Sequence, residues 1–362
     1  MLKSKVRIAQ IAPLYESVPP KLYGGTERIV SYLTEELVRQ KQDVTLFASG
    51  DSVTRARLVP ITEKALRLEG ARIRDPLAHH IRLIENVFRE ADQFDILHFH
   101  LDHLHFPLVR RTQSVCATTL HGRLDISDLA SLFREYSEMP VVSISDSQRE
   151  PLSWLNWCGT VYHGLPEDLY SFVETSDDYL AFLGRICPEK RLDRAIEIAE
   201  KSGRTLKIAA KVDPTDQDYF CREIKPLLSR PFIEFVGEIG ETGKGEFLGN
   251  AAALLFPIDW PEPFGLVMIE ALACGTPVIA FENGSVPEII ENGITGFVVS
   301  NAEEAASAVE RISTIKRRTC RETFEQRFGA TRMARDYLDI YRSLVSKRES
   351  DEPGITVFKP AA

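Results

Sequence analysis

The sequence contains no apolar run near the roughly 18 residues that a membrane-spanning helix needs. Its six cysteines are scattered and form no CxxC pair, which argues against a structural zinc site and is typical of reduced, cytosolic proteins. The apolar segment after Lys3, Lys5 and Arg7 is short and ends at Pro13, so a first strand is a better interpretation than a signal peptide. We expect a soluble, cytoplasmic protein, for which peripheral contact with a membrane remains an alternative.

The sequence also lacks an excess of positive charge. Lysine and arginine number 44 against 53 acidic residues, which gives a net charge of −9 and argues against a nucleic-acid partner. A length of 362 residues favours two domains, and a hydrophobic content of 44% supplies sizeable cores. These quantities leave the small-molecule ligand open.

The first half follows a strand, loop, helix, strand pattern. We predict a strand over residues 6–12, a helix over 28–39 and a strand over 44–48, because the apolar residues of the helix keep helical spacing. Gly24 and Gly25 precede the helix and would let backbone amides approach a phosphate or a sugar. No GxGxxG fingerprint is present, so a nicotinamide cofactor is not expected.

Histidines are concentrated in the middle of this half. His98, His100, His103 and His105 lie close together without a recognised metal-binding spacing, so polar side chains near a cleft are favoured over a metal site. His121 follows a strand predicted over residues 115–120. A histidine at the carboxyl end of a parallel strand is placed to enter a ligand crevice, although a structural role is about equally compatible with this signal.

Residues 165–178 contain Pro166 and scattered acidic residues, a composition that indicates a linker, and a second α/β pattern begins at Tyr179. Arg185 and Lys190 fall in its first strand-to-helix loop. Arginine binds phosphate through two parallel hydrogen bonds and lysine adds a point charge, so this loop is a candidate diphosphate clamp; solvated surface charges are the alternative.

The stretch from residue 259 to 280 reads as a proline-containing loop, a helix, a stop at Gly275 and a buried strand. Glu270 shares the apolar stripe of this helix, where an unpartnered carboxylate would be unfavourable. Glu262 lies in the loop at the helix mouth, where free amides add partial positive charge. Two carboxylates framing a helix N-terminus suggest a ligand with hydroxyls and anionic groups, and an ordinary amphipathic helix is the alternative.

Two apparent motifs are rejected. Residues 237–247 resemble a P-loop, but Glu238 replaces the first glycine and Gly245 replaces the final serine or threonine. Asp216 and Asp218 form a DxD pattern, for which acidic capping of a helix is the better interpretation than metal binding.

Four segments resemble the retaining GT-B glycosyltransferases of family GT4: FLGRICPEKRLDRAI, EPFGLVMIE with its E-x7-E pair, EALACGTPVIA and VPEIIENGITGFVV. The N-terminal YGGTERIVSYLTEELVRQKQDVTLFASG is also similar to that family. The resemblance covers nearly the whole chain. It implies an α/β fold of two Rossmann-like domains facing across a cleft, with residues 1–168 on the acceptor side, 175–329 binding the nucleotide sugar, and helix 330–347 crossing back to the N-terminal domain.

The resemblance also implies roles at matching positions. Arg185 and Lys190 correspond to the diphosphate pair, Glu270 to the ribose anchor, Glu262 to the carboxylate near the donor sugar and His121 to the histidine beside it. The remaining donor contacts correspond to Gly25, to Glu238 and Ile239 near the base, and to Phe264, Gly265 and Leu266 at the helix mouth. The implied catalytic set is His121, Glu262, Arg185 and Lys190. No metal or cofactor is implied beyond the nucleotide sugar itself.

The chain departs from the family in two places. Arg191 stands where a glycine is frequent and is expected to alter the phosphate pocket, and the usual GGxPE is GSVPE from Gly284 to Glu288. The implied activity is retaining, metal-independent transfer of a hexose from a nucleoside-diphosphate sugar to a carbohydrate, lipid-linked or small-molecule acceptor. Neither donor nor acceptor can be read from the residues, and UDP-glucose is the best guess for the donor. A catalytically inactive nucleotide-sugar-binding relative and a GT-B epimerase or phosphorylase are the alternatives.

Overall fold

The protein contains two parallel β-sheets, each flanked by helices. A computed structural model describes residues 5–21 and 24–351. Within this part of the chain the first sheet has seven strands and the second has six. All strand pairs in both sheets are parallel, which matches the fold expected from alternating strand and helix signals.

The first sheet has the strand order β3-β2-β1-β4-β5-β6-β7. Its strands are β1 (Arg7–Ile11), β2 (Asp43–Ala48), β3 (Arg57–Pro60), β4 (Ile96–Phe99), β5 (Cys116–Thr119), β6 (Val141–Ser143) and β7 (Trp157–Thr160). The accompanying helices are α1 (Gly25–Arg39), α2 (Leu66–Glu69), α3 (Pro76–Arg89), α4 (Phe106–Val109) and α5 (Ser127–Glu135).

The second sheet repeats this winding in the order β10-β9-β8-β11-β12-β13. Its strands are β8 (Tyr179–Arg185), β9 (Thr205–Lys211), β10 (Ile233–Gly237), β11 (Ala253–Phe256), β12 (Val278–Phe281) and β13 (Gly296–Val299). The remaining helices are α6 (Leu192–Ser202), α7 (Gln217–Tyr219), α8 (Glu241–Gly249), α9 (Leu266–Cys274), α10 (Val286–Ile289), α11 (Ala302–Glu310), α12 (Arg317–Arg327) and α13 (Ala330–Asp351).

Helix α13 leaves the second domain and packs on the first. Its buried side chains Met333, Tyr337 and Tyr341 join the core formed by Ile8 on β1 and Leu33 on α1. The expected GT-B arrangement, with two Rossmann-like domains and a final helix that returns to the first, is therefore confirmed. Of the helices in the described part of the chain, none combines the length and apolar character that crossing a bilayer would require.

Glu288 of the second domain joins the two halves. Its carboxylate accepts hydrogen bonds from the backbone N–H groups of Asp146 (2.8 Å) and Ser147 (2.7 Å) and from the Tyr162 hydroxyl (3.0 Å). Hydrogen bonds to a charged acceptor are stronger than neutral ones, so this residue helps to fix the domains relative to each other.

The sequence also predicts helices over residues 219–228 and 248–252, and the structure differs at both. Helix α7 passes into a π-turn and then a 3-10 turn around Pro226, whose missing N–H prevents a continuous α-helical ladder. Helix α8 ends at Gly249. The elements that were not predicted are strands β3, β7 and β13 and helices α2, α4, α5, α10 and α12.

Candidate active site

The eleven residues singled out in the sequence line one cavity of about 300 Å³ between the two domains. The first domain contributes Gly25 and His121, and the second contributes the others: Arg185, Lys190, Glu238, Ile239, Glu262, Phe264, Gly265, Leu266 and Glu270. The sequence placed these residues in segments far apart, and the fold brings all of them together.

The parallel sheets explain this convergence. Arg185 is the last residue of β8, Glu238 follows β10, and His121 follows β5 by two positions. The carboxyl ends of parallel strands meet at one edge of each sheet, and the two edges face each other across the cavity.

Five cationic side chains and three carboxylates line the cavity, together with two histidines. The cations are Arg28, Arg185, Lys190, Lys211 and Lys244, and the carboxylates are Glu238, Glu262 and Glu270. This surplus of positive charge in a concave site favours an anionic ligand.

Helix α9 begins at the cavity through Gly265, which adopts a left-handed conformation (φ 77°). A Cβ atom at this position would lie 2.8 Å from Cε of Met268 and 3.1 Å from Cζ of Phe256, so a larger residue would be both strained and crowded. The loop before it is held by Ser285, whose hydroxyl donates to the Phe264 carbonyl (2.9 Å). The free first-turn amides of α9 are thus presented to the ligand from a fixed backbone.

Glu270 is 2% exposed, as its position on the inward stripe of α9 predicted. Its Oε1 contacts Nη2 of Arg28 at 2.7 Å and Nζ of Lys244 at 3.3 Å. Arg28 lies on α1 of the other domain and also reaches Glu241 at 2.8 Å. Burial opposes the charge of Arg28, but the carboxylates of Glu270 and Glu241 raise its pKa above the usual value. A buried carboxylate with cationic partners can accept ligand hydroxyls without bearing an uncompensated charge.

Lys190 and Glu262 form an ion pair in the cavity. The Trp260 indole N–H donates to the same Glu262 oxygen at 2.9 Å, and the Lys190 ammonium lies 5.3 Å from the Trp260 ring centroid. The predicted phosphate cation and sugar carboxylate therefore hold each other in place until a ligand enters.

Arg185 contacts two carboxylates, Asp213 at 3.5 Å and Asp216 at 3.6 Å. The two acidic residues do open a helix, since Asp216 is the N-cap of α7 and Asp218 lies in its first turn. The Asp216 carboxylate makes no capping hydrogen bond, however, and pairs with Arg185. Within the described ranges, no group of three or more His, Cys, Asp or Glu side chains is arranged to hold a metal ion.

Arg191 does not line the cavity, contrary to its expected effect on the phosphate pocket. Its backbone is left-handed (φ 51°), a conformation that glycine adopts without strain. Its guanidinium is directed to Asp193 (2.7 Å) and Asp259 (2.8 Å). A glycine at this position would adopt the same backbone without strain.

His121 is half-buried at the cavity wall, and burial lowers its pKa to about 3. Its ring stacks on His163 with the centroids 5.4 Å apart, and Nε2 lies 2.8 Å from Nδ1 of His100. His121 is therefore neutral near pH 7 and can form a hydrogen bond without adding charge.

Sequence reasoning missed Arg28, Lys244 and His163, which also line the cavity. Arg28 had a usable signal, because a buried Glu270 required a cation and Arg28 lies in the first turn of α1, the helix that begins at Gly25. His163 stands before a glycine at a strand end, as His121 does, and the same argument would have selected it.

Two family profiles match most of the chain. The profile described as "Glycosyl transferases group 1" matches residues 171–327, and "Glycosyltransferase Family 4" matches residues 23–156. An uncharacterized glycosyltransferase of Methanocaldococcus jannaschii is 24% identical over 356 residues, covering 84% of this chain and 88% of that protein. An uncharacterized 41.2 kDa protein in the cps region of Klebsiella pneumoniae is 31% identical over 174 residues, 45% of this chain and 46% of its own length, so the chain spans less than half of that relative.

Solved structures agree in fold. AviGT4, a glycosyltransferase involved in avilamycin A biosynthesis, superposes with a TM-score of 0.72 at 22% identity, covering 94% of this chain and 98% of that one. Anabaena HepE in complex with UDP superposes with a TM-score of 0.71 at 16% identity, covering 93% and 100%, and HepE has also been solved with UDP-glucose. At these identities the likeness establishes the fold alone.

Proposed function

This chain belongs to glycosyltransferase family 4. We propose that it transfers a hexose from a nucleoside-diphosphate sugar to an acceptor hydroxyl. The transfer retains the configuration at the anomeric carbon and needs no metal ion. The observation that carries the proposal is the single cavity in which all eleven predicted donor and catalytic residues meet. The net positive lining suits a diphosphate, and the buried carboxylate Glu270 suits ribose hydroxyls.

The chemistry follows from the charges. When the bond to the sugar breaks, negative charge grows on the departing diphosphate. Arg185, Lys190 and the first-turn amides of α9 would stabilise that charge, and stabilisation of this kind is usually the largest single contribution to catalysis. These cations would supply the positive charge for which other transferases use a metal ion.

The anomeric configuration is retained because the acceptor hydroxyl attacks the sugar from the same face that the diphosphate leaves. Glu262 is engaged by Lys190 and Trp260, which favours a role in holding the sugar over a role as a covalent nucleophile. The leaving phosphate oxygen would then take the proton of the acceptor hydroxyl on the same face. Closure of the cavity around the donor would limit hydrolysis by water.

UDP-glucose is the proposed donor, supported by the UDP and UDP-glucose complexes of the Anabaena neighbour. The acceptor is proposed to be a carbohydrate, lipid-linked or small-molecule hydroxyl entering from the side of the first domain, where Gly25 and His121 lie.

A donor panel tests the function. Purified protein is screened by thermal shift with UDP-, GDP- and ADP-sugars, and the donor that binds is incubated with cell extract while nucleoside diphosphate and products are followed by mass spectrometry. We expect stabilisation by UDP-glucose, acceptor-dependent release of UDP and no effect of excess EDTA.

A protein that binds a donor but never releases nucleoside diphosphate would be the inactive relative. Turnover without a second sugar acceptor, or dependent on phosphate or pyridoxal phosphate, would indicate the epimerase or phosphorylase alternative. Absence of calorimetric binding to UDP, GDP and ADP would contradict the proposal.

Glu270→Gln is expected to weaken binding of the nucleoside diphosphate about 10- to 100-fold, because hydrogen bonds to a charged acceptor are worth roughly 1.5–3 kcal/mol each. Glu241→Gln is the matched control: it also removes a carboxylate from Arg28, but Glu241 does not line the cavity. Calorimetry should show affinity within about threefold of wild type for this control. Equal losses in the two variants would mean that Glu270 acts through Arg28 and is not the ribose anchor.

A further inference from the structure

A chain of buried hydrogen bonds connects His121 in the cavity to helix α13. Nε2 of His121 contacts Nδ1 of His100 (2.8 Å), and Nε2 of His100 contacts Oε1 of Gln10 (2.8 Å). The Gln10 amide then donates to the Tyr341 hydroxyl (3.1 Å). Gln10 and Tyr341 are fully buried, and His100 is 3% exposed.

The chain continues beyond Tyr341. Its hydroxyl contacts Nδ1 of His98 (2.7 Å), and Nε2 of His98 contacts the Thr119 hydroxyl (2.7 Å). Thr119 in turn contacts the hydroxyl of Tyr337 (2.9 Å). Because these polar groups are removed from water, each unmade bond would leave an unsatisfied group, and the bonds constrain one another's direction.

The fold places these side chains together. Gln10 on β1 and His98 on β4 are register partners in the first sheet, and Thr119 ends the next strand, β5. Helix α13 covers this part of the sheet and supplies both tyrosines. His121, at the cavity end of the hydrogen-bond chain, follows Thr119 by two positions.

The donor-to-acceptor direction of these hydrogen bonds determines the tautomer of His121. Gln10 presents its carbonyl oxygen to His100, so Nε2 of His100 must carry a proton. Burial, followed by the charges of His98, His121 and His163, lowers the pKa of His100 well below its usual value, so its Nδ1 is bare and accepts. The proton between the rings therefore resides on Nε2 of His121, and Nδ1 of His121 is left as an acceptor.

We propose that Gln10, His100 and Tyr341 are positioning residues for sugar transfer: they hold His121 in the Nε2–H tautomer, so that its Nδ1 accepts a hydrogen bond from a hydroxyl of the transferred sugar. Helix α13 thereby takes part in the active site of the first domain through Tyr341. This inference rests on the proposed transferase function.

Tyr341→Phe tests the link, because it removes one hydroxyl and keeps the ring. Without that hydroxyl the Gln10 amide loses the partner that fixes its orientation, and both tautomers of His121 become populated. We expect kcat to fall about tenfold while the affinity for nucleoside diphosphate, held by the second domain, is unchanged. Tyr179→Phe is the matched control, since it removes a buried hydroxyl that donates to the Phe247 carbonyl at 2.7 Å in the second domain; its kcat should stay within about twofold of wild type.

A double-variant cycle separates positioning from a merely structural role. In a His121→Ala background Tyr341→Phe should have no further effect on kcat, because Tyr341 acts only through His121. Equal and additive losses with and without His121 would overturn the inference, as would a kcat for Tyr341→Phe equal to that of Tyr179→Phe.

Histidine-selective ¹⁵N NMR gives a readout that needs no turnover. Long-range ¹H–¹⁵N spectra at pH 7 should show a protonated Nε2 and a bare Nδ1 for His121, and a mixture in Tyr341→Phe. A protonated Nδ1 in the wild type would overturn the inference. If no donor is turned over, the proposed transferase function fails, and with it the role in sugar transfer, while the tautomer measurement still decides whether the hydrogen-bond chain fixes His121.

Discussion

Replacing Lys190 by alanine is expected to lower kcat/KM for sugar transfer by about 10²- to 10³-fold. Lys190 lines the cavity and is proposed to stabilise the charge that develops on the departing diphosphate, and removal of one such group typically costs about 3–4 kcal/mol. Release of nucleoside diphosphate from the donor found in the panel is the measurement. Lys190→Arg keeps the charge and should retain more activity than the alanine variant.

Arg191→Gly is the matched control for Lys190→Ala. It removes the adjacent cation, whose guanidinium is directed to Asp193 and Asp259 and away from the cavity. Glycine also relieves the left-handed backbone at this position, which offsets the loss of two partly exposed ion pairs. We expect transfer within about twofold of wild type and little change in melting temperature. A Lys190→Ala variant that keeps a third of the activity, or an Arg191→Gly variant that loses as much as it does, would contradict the assignment.

More of the second domain than of the first could be predicted from the sequence, because its elements are marked by residues close together in the chain. The start of α9, its stop at Gly275 and strand β12 were placed by glycine, proline and apolar patterning alone. The inward position of Glu270 followed from helical spacing. Arg185 was assigned to the loop after β8 and proved to be the last residue of that strand, whereas Lys190 follows it. Both reach the cavity because the carboxyl ends of parallel strands converge.

Pairings between distant segments could not be read in this way. Glu270 pairs with Arg28 in the other domain as well as with Lys244, and although its burial required a cation, the pattern of its own helix does not identify which one. The left-handed backbone of Arg191 was missed because arginine carries no signal for that conformation, so its charge was assigned to the wrong place.

Helix α12 was missed for a different reason. Few of its residues are apolar, and it is held by two arginines that donate to backbone carbonyls: Arg317 to Val173 (2.8 Å) and Arg321 to Ala273 (2.7 Å) and Glu167 (2.6 Å). Hydrophobic periodicity does not register an element that is fixed by polar contacts. The buried polar chain from His121 to Tyr341 escaped prediction for the same reason, since each member looks like an ordinary strand or helix residue.

Acidification from pH 6.5 to 5.5 is expected to lower the free energy of unfolding by roughly 5 kcal/mol, about 1 kcal/mol for each of five histidines that burial keeps neutral. Four of them are at most 4% exposed, and burial lowers the pKa of each well below the usual value: His98, His100, His105 and His163. The fifth is His121, whose pKa burial lowers to about 3. They stay neutral in the folded chain, whereas the unfolded chain takes up protons below about pH 6.5. The stability is therefore fully present above that pH and is lost as the pH falls.

Urea unfolding at pH 7.5, 6.5 and 5.5 measures this dependence. The slope of the unfolding free energy against pH, compared between variants, identifies the residues that cause it. His105→Gln removes one titrating ring while its amide can still reach the Thr118 hydroxyl, which His105 contacts at 2.8 Å. This variant should lose about a fifth of the pH dependence of the unfolding free energy, whatever its absolute stability. Glu27 has the opposite effect on the free energy of unfolding. Burial raises its pKa, so its protonation at lower pH favours the folded protein. The measurement therefore stops at pH 5.5. A free energy of unfolding that is flat over this range would mean that the buried histidines take up protons in the folded protein, and the neutral His100 on which the His121 tautomer depends would be lost with it.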